Sequence, residues 1–362
     1  MLHEYLYPFS EAFQIFNVFK YISFRTGGAV LTALIISFIL GPFLINLLRT
    51  FQKEGQPIRA DGPTDHIIKK KGTPTMGGIL ILIASVGSTI LWMQLDNQFV
   101  WSALLVMIGF GSIGIVDDWI KISRNSSFGL NGKIKLLLQI SISFPAIMAI
   151  IQTSPAELQQ GLSIPFFKDT FINLGALFIP FAIFVVVGAS NSVNLTDGLD
   201  GLAIVPVMIA AACFALIAYL VGNMNFSSYL QLNYVPGVGE IAILLGALFG
   251  AGLGFLWFNA PPAEIFMGDT GSLALGGALG ISSVATRHEL VLAIIGGLFV
   301  VETISVILQV AIFKFTGRRV FLMAPLHHHF EKRGWEEPTI VIRFWIIAVI
   351  LAIIGLSSLK LR

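Results

Sequence analysis

The chain has 362 residues, 56% hydrophobic and 12% charged, about half the charged share usual in soluble domains. With 30 Phe, 36 Gly and a mean hydropathy of +0.85, it carries more apolar surface than a soluble shell could cover. Cys213 is the single cysteine and the formal charge is +2, which excludes disulfide scaffolds, zinc fingers and a nucleic-acid partner.

A helix needs about 20 apolar residues to cross a bilayer. Ten stretches qualify: 24–48, 73–93, 99–118, 133–152, 171–190, 201–221, 240–258, 268–286, 290–313 and 339–358. Before them, Phe9, Phe13, Phe16 and Phe19 recur at helical spacing, so residues 1–22 are expected to form an interfacial helix. They lack the basic leader and small-residue cleavage site of a signal peptide. The expected fold is therefore all-α, a polytopic integral membrane protein of about ten transmembrane helices in one domain over 1–362.

Alternate connections, the last counted through Arg343, carry 16 of the 22 basic residues, which places them in the cytoplasm and both termini outside, in the periplasm. The cytoplasmic side then holds the segments near 49–72, 117–135, 191–201, 259–272 and 314–338. Gly246, Gly250 and Gly254 are spaced by four, as are Gly276 and Gly280. Such spacing serves close packing within the bundle or, alternatively, a homodimer face.

Four polar groups fall on that one side. Asp117 and Asp118 close the third span. Asn191, Asn194, Asp197 and Asp200 lie between spans five and six, where Gly198 and Gly201 suggest a loop suited to backbone contacts with a nucleotide. Asn259 and Asp269 bracket the connection between spans seven and eight, and His327, His328 and His329 lie in the last loop. Carboxylates beside apolar spans are costly unless paired, hydrated or bound to a cation. Taken as a set, the aspartates suit Mg²⁺, which takes oxygen ligands and bridges carboxylates to phosphates. Helix capping is the ordinary alternative for each one alone. The histidines could hydrogen-bond phosphate oxygens or be solvated. Lys121 and the pairs Lys70–Lys71 and Lys133–Lys135 read first as topology signals and lipid-headgroup contacts. Gly109-Phe-Gly-Ser-Ile-Gly114 matches the dinucleotide-binding glycine pattern, but it lies inside a span and lacks the strand that pattern requires.

Five segments carry a resemblance over essentially the whole chain: Gly72-Thr-Pro-Thr-Met-Gly-Gly78, Val116-Asp-Asp118, Asn194-Leu-Thr-Asp-Gly-Leu-Asp-Gly-Leu-Ala203, Phe266-Met-Gly-Asp-Thr-Gly-Ser272 and Ala324-Pro-Leu-His-His-His-Phe330. With these the chain resembles the phospho-N-acetylmuramoyl-pentapeptide transferases of the polyprenyl-phosphate sugar-phosphotransferase superfamily. The resemblance implies transfer of phospho-MurNAc-pentapeptide from UDP-MurNAc-pentapeptide to undecaprenyl phosphate, giving lipid I and UMP with Mg²⁺ as cofactor, at a bacterial inner membrane. It further implies Asp269 as the Mg²⁺ ligand and Asp117 and Asp118 near the lipid phosphate. Asn194, Asp197, Leu199, Asp200 and Phe266 would line the nucleoside pocket, with Phe266 stacking on uracil. Lys70, Thr75, Lys133, Asn259, Gln309 and His327 to His329 would hold phosphate or sugar-peptide groups, with His328 among the catalytic residues. Two rivals follow from the same residues: a secondary transporter, whose ionisable groups should lie near the midplane, and a sister transferase using another UDP-sugar.

Overall fold

The computed structural model describes residues 1–52, 55, 72–167 and 170–360. The helices are α1 (Leu2–Leu6), α2 (Ile22–Phe51), α3 (Gly78–Trp92), α4 (Gln98–Ser123), α5 (Gly132–Thr153), α6 (Phe178–Thr196) and α7 (Ile204–Val221). They continue as α8 (Met224–Leu230), α9 (Ile241–Asn259), α10 (Gly268–Thr286), α11 (Glu289–Ile295), α12 (Gly297–Thr316), α13 (Leu326–Lys332) and α14 (Glu337–Lys360). An antiparallel hairpin of β1 (Gly161–Ser163) and β2 (Phe171–Asn173) pairs Leu162 with Ile172. The all-α membrane architecture is as expected, and every expected span overlaps a helix.

Among the described residues, eight helices are long and apolar enough to cross a membrane. The two other expected spans fall short for different reasons. α3 has 15 residues, about 22 Å of helix. α10 is diluted by Gly, Ser and Thr because it is the central helix: every residue from Thr270 to Thr286 is buried, so it presents no face to lipid. It packs against α4, α6 and α7.

Local chemistry shifts several boundaries. The N-terminal segment is not one helix. Pro8 lacks the amide that an α-helix requires, and the chain passes from α1 into 3-10 turns over Tyr7–Glu11 and Gln14–Lys20. The Met1 amino group donates to the Ile90 and Met93 carbonyls, pinning this segment to the end of α3. The expected span at 171–190 begins later, at Phe178, because 171–173 pair as a strand; a short apolar run does not distinguish the two. α6 consequently runs on to Thr196, so Asn191 and Asn194 stand on a helix rather than in a loop. The span expected over 290–313 is broken at Gly296 into α11 and α12.

The spaced glycines serve packing inside the bundle. A methyl group on Gly250 would overlap the Val30 carbonyl, so Gly250 lets α9 lie directly on α2. Gly114, the last residue of the dinucleotide-like pattern, does the same work elsewhere. A methyl there would overlap the Asp269 backbone, so its absence brings α4 against the start of α10.

Candidate active site

That close approach places the carboxylates. Asp117 and Asp118 lie on the last turns of α4, and Asp269 opens α10. Adjacent residues on a helix point about 100° apart, and the two aspartates accordingly do different things. Asp118 faces the start of α10 and acts as its cap from a neighbouring helix. Its Oδ1 accepts the Asp269 amide at 3.2 Å, and its Oδ2 accepts the Thr270 amide at 3.0 Å and the Thr270 hydroxyl at 2.8 Å. A carboxylate suits a helix N-terminus, where free amides and the macrodipole both favour negative charge. Asp117 turns instead toward the α4–α5 connection, where its Oδ1 accepts the Leu130 amide at 2.8 Å.

Two lysines complete the cluster. Lys121, one turn beyond Asp117 on α4, brings its ammonium to 2.6 Å from Asp117 and 3.0 Å from Asp269. Lys135 on α5 reaches Asp117 at 3.0 Å and Asp269 at 2.6 Å. One oxygen from each of Asp117, Asp118 and Asp269 lies within 4.8 Å of the others, so the three could hold a metal ion. The donor set is all oxygen, which fits a hard divalent cation.

The residues before α3 form the floor of this cluster. Phe266 donates its amide to the Pro74 carbonyl and accepts the Gly77 amide, which knits residues 74–78 to the start of α10. The Thr75 backbone is held on both sides by Gln52, at 2.9 and 3.2 Å. The Thr75 hydroxyl is buried without a hydrogen-bond partner among the described residues, and it lies beside Gly268 and the Asp118 carboxylate. Phe266 is half-buried. Lys70 and most of the expected segment 49–72 lie outside the described residues.

The turn after α6 is the second wall. Asn194 accepts the Ser272 hydroxyl at 3.1 Å, joining α6 to α10. Asp197 caps α6. Asp200 donates its amide to Glu337 and accepts the Ala263 amide at 3.0 Å, while Asn259 accepts the Gly201 amide and donates to the Ile265 carbonyl. These side chains bind the turn to the 259–267 connection. Leu199 is buried with Leu202, Leu298 and Phe344, inside an apolar cluster.

The histidines sit on a helix, α13, rather than in an open loop. His327 is buried and packs against Gly198, where a methyl group would overlap its Nε2. His328 Nδ1 pairs with Glu331 at 2.6 Å, and His329 Nδ1 accepts the Leu322 amide at 3.1 Å. Gln309 accepts the Val320 and Phe321 amides and donates to the Phe321 carbonyl, fixing the segment that leads to α13.

Among the lysines, sequence reasoning set Lys133 with the substrate contacts and left Lys135 as a topology signal. Two residues on a helix point about 200° apart, so both cannot face the carboxylates. Lys135 does, and Lys133 is exposed at the first turn of α5. The spacing of Lys121 at i+4 from Asp117 was a signal available in the sequence. Beside the cluster, an apolar cavity of about 890 Å³ runs between α5, α6, α11 and α12. Its lining begins at Leu136, next to Lys135, and includes Ile140, Phe184, Asn191, Phe299 and Ile307.

A helical membrane bundle with buried carboxylates and lysines gathered at one end, beside an apolar groove, is the architecture of a membrane-embedded transferase. Residues 100–287, just over half of the chain, match the family described as Glycosyl transferase family 4. Residues 70–82, which include Thr75 and lead into α3, match the Phospho-N-acetylmuramoyl-pentapeptide-transferase signature 1. The chain is also 61% identical to the phospho-N-acetylmuramoyl-pentapeptide-transferase of Granulibacter bethesdensis, over the full length of both. It belongs to the phospho-N-acetylmuramoyl-pentapeptide-transferase family.

Proposed function

We propose that the protein transfers phospho-MurNAc-pentapeptide from UDP-MurNAc-pentapeptide to undecaprenyl phosphate, producing lipid I and UMP, in a bacterial inner membrane. The observation that carries this reading is the junction of a three-carboxylate, two-lysine cluster with an apolar groove that starts at the same turn of α5. A soluble sugar nucleotide and a membrane-held polyprenyl phosphate have to meet at such a junction. The Lys and Arg distribution favours the cluster facing the cytoplasm, with ten spans in one domain and both termini in the periplasm.

Phosphoryl transfer asks a protein mainly for positioning and charge neutralisation. The acidic cluster is assigned to Mg²⁺, with Asp269 as its principal ligand. When bound, Mg²⁺ neutralises charge on the diphosphate of the sugar nucleotide. Asp118, with both oxygens committed to α10, orients the Asp269 backbone and is poorly disposed to act as a nucleophile. Asp117, between the two ammonium groups, positions the lipid phosphate, which attacks the β-phosphorus directly. A phosphate monoester has its second pKa near 6, so it is mostly a dianion at pH 7 and needs little activation. Lys121 and Lys135 bind phosphate oxygens, and the groove along α6 and α12 takes the polyprenyl chain.

Asn194, Asp197, Leu199, Asp200 and Phe266 form the nucleoside wall, Leu199 through the apolar backing of the turn. Lys70, Thr75, Asn259, Gln309, His327, His328 and His329 hold or frame the phosphates and sugar-peptide, and Lys135 takes the place that sequence reasoning assigned to Lys133. The test is UMP release from purified protein given Mg²⁺, undecaprenyl phosphate and a panel of UDP-sugars. UMP release with UDP-MurNAc-pentapeptide alone is the expected outcome. Release with a different UDP-sugar in its place would assign a sister transferase, and no release at all would remove the reading.

A further inference from the structure

We propose that Glu302 is a positioning residue that sets the width of the nucleotide cleft by capping α13 from within the membrane bundle. The inference rests on the reading of the Asp197–Gly201 turn as a nucleoside wall. Glu302 lies on α12 and is fully buried. A buried carboxylate persists only where donors meet it. Here the donors come from the start of α13: Glu302 Oε2 accepts the Leu326 amide at 2.6 Å, and Oε1 accepts the His327 amide at 3.2 Å. The His327 ring lies close by, with Nδ1 3.3 Å from the same Oε1 but not hydrogen-bonded to it, so the two backbone amides are the donors.

α13 depends on this contact. It has seven residues, too few to be stable as an isolated helix, and Pro325 at its cap position supplies no side-chain acceptor. Its far end is held separately, by Phe330 stacked on Trp335 at 4.6 Å. Glu302 therefore determines where the first turn sits, and that turn carries His327 onto Gly198. The position of α13 and that of the turn are mechanically linked through a contact with no room for a methyl group. Moving the first turn of α13 moves one wall of the cleft, without touching Asp117, Asp118, Asp269 or the lysines.

The test combines Glu302→Gln with Gly198→Ala and reads kinetics with both substrates. Glutamine keeps the size but turns an amide toward one of the two backbone donors, so the cap is half lost. The expected result is a KM for the UDP-sugar raised about tenfold, a factor equivalent to ~1.4 kcal/mol. The kcat is expected to change less than about threefold, and the KM for undecaprenyl phosphate not at all. Gly198→Ala pushes the same contact from the other side and should also raise the UDP-sugar KM. In the double variant the loosened helix accommodates the methyl group, so the combined effect falls well below the product of the two. An unchanged UDP-sugar KM in Glu302→Gln, or a double variant equal to that product, overturns the proposal. If Glu302→Gln cannot be extracted folded, Gly198→Ala decides alone, and an unchanged KM again overturns it. Calorimetric titration with UDP repeats the comparison without turnover. A wild type that binds UDP yet releases no UMP removes the functional reading and leaves the cleft testable.

Discussion

Buried charge is handled in opposite ways at the two ends of the bundle. At one end, Arg25 on α2 and Glu240 before α9 are both buried and matched one to one. The guanidinium meets both carboxylate oxygens, at 2.7 and 2.5 Å, and also donates to the Trp92 carbonyl, while the Gln94 amide donates to Glu240 at 3.0 Å. Both carboxylate oxygens have donors there, and the result is a clamp joining α2, α3 and α9. At the other end, three carboxylates face two ammonium groups, Asp117 and Asp269 are each shared by both, and Lys121, Lys135 and Asp269 keep 20, 15 and 13% of their side-chain surface exposed. Formal charge there remains negative, and the cluster opens to a ligand. A closed, balanced pair stabilises a fold; an open, unbalanced cluster is suited to hold something else.

Three experiments test that distinction, beginning with the largest effect. Asp269→Asn keeps the shape of the open cluster and removes the charge a hard cation requires. Turnover should fall by about two to three orders of magnitude, the scale for losing a transition-state electrostatic contact, with unfolding temperature in detergent nearly unchanged. Activity within tenfold of wild type at saturating Mg²⁺ would deny the cluster its role.

Lys135→Gln should lower kcat/KM by roughly a hundredfold, because its ammonium contacts both Asp117 and Asp269 and a charge-assisted bond is worth about 1.5–3 kcal/mol. Lys133→Gln, on the opposite side of the same helix, should cost no more than about threefold. Reversal of that order would return the site to the assignment made from sequence.

Arg25→Met leaves Glu240 buried and unpaired at the closed end, a change costing about 3–5 kcal/mol. Denaturant unfolding should show that loss, whereas UMP release per folded molecule should stay at the wild-type level. Combining Arg25→Met with Glu240→Leu should recover most of the stability, since an apolar pair removes the desolvation cost altogether. A specific activity that falls with stability would show the two ends to be coupled.

Much of this was legible in the sequence. Apolar runs of about 20 residues located every long helix, and the crowding of Asp117, Asp118, Asp197, Asp200 and Asp269 onto one side located the cluster. Hydropathy could not show that α10 is wrapped by protein rather than lipid, because its Gly, Ser and Thr content lowers its apolarity for reasons of packing. Nor could it separate Lys133 from Lys135, since the phase of α5 about its axis depends on what it packs against.

Composition and periodicity determined that this chain is a helical membrane protein with five of its aspartates crowded toward one side, because the bilayer demands long apolar helices and expels unpaired charge. Which acid does what was decided by tertiary contact. Asp117 and Asp118 are identical in chemistry and adjacent in sequence, yet one caps α10 and the other meets two lysines. Glu302 reads in the sequence as a stray charge within a span and becomes, in the fold, the cap of a helix 24 residues away. Hydrogen bonds and ion pairs act over about 3 Å, and only the packing of the helices brings groups so distant in sequence within that reach.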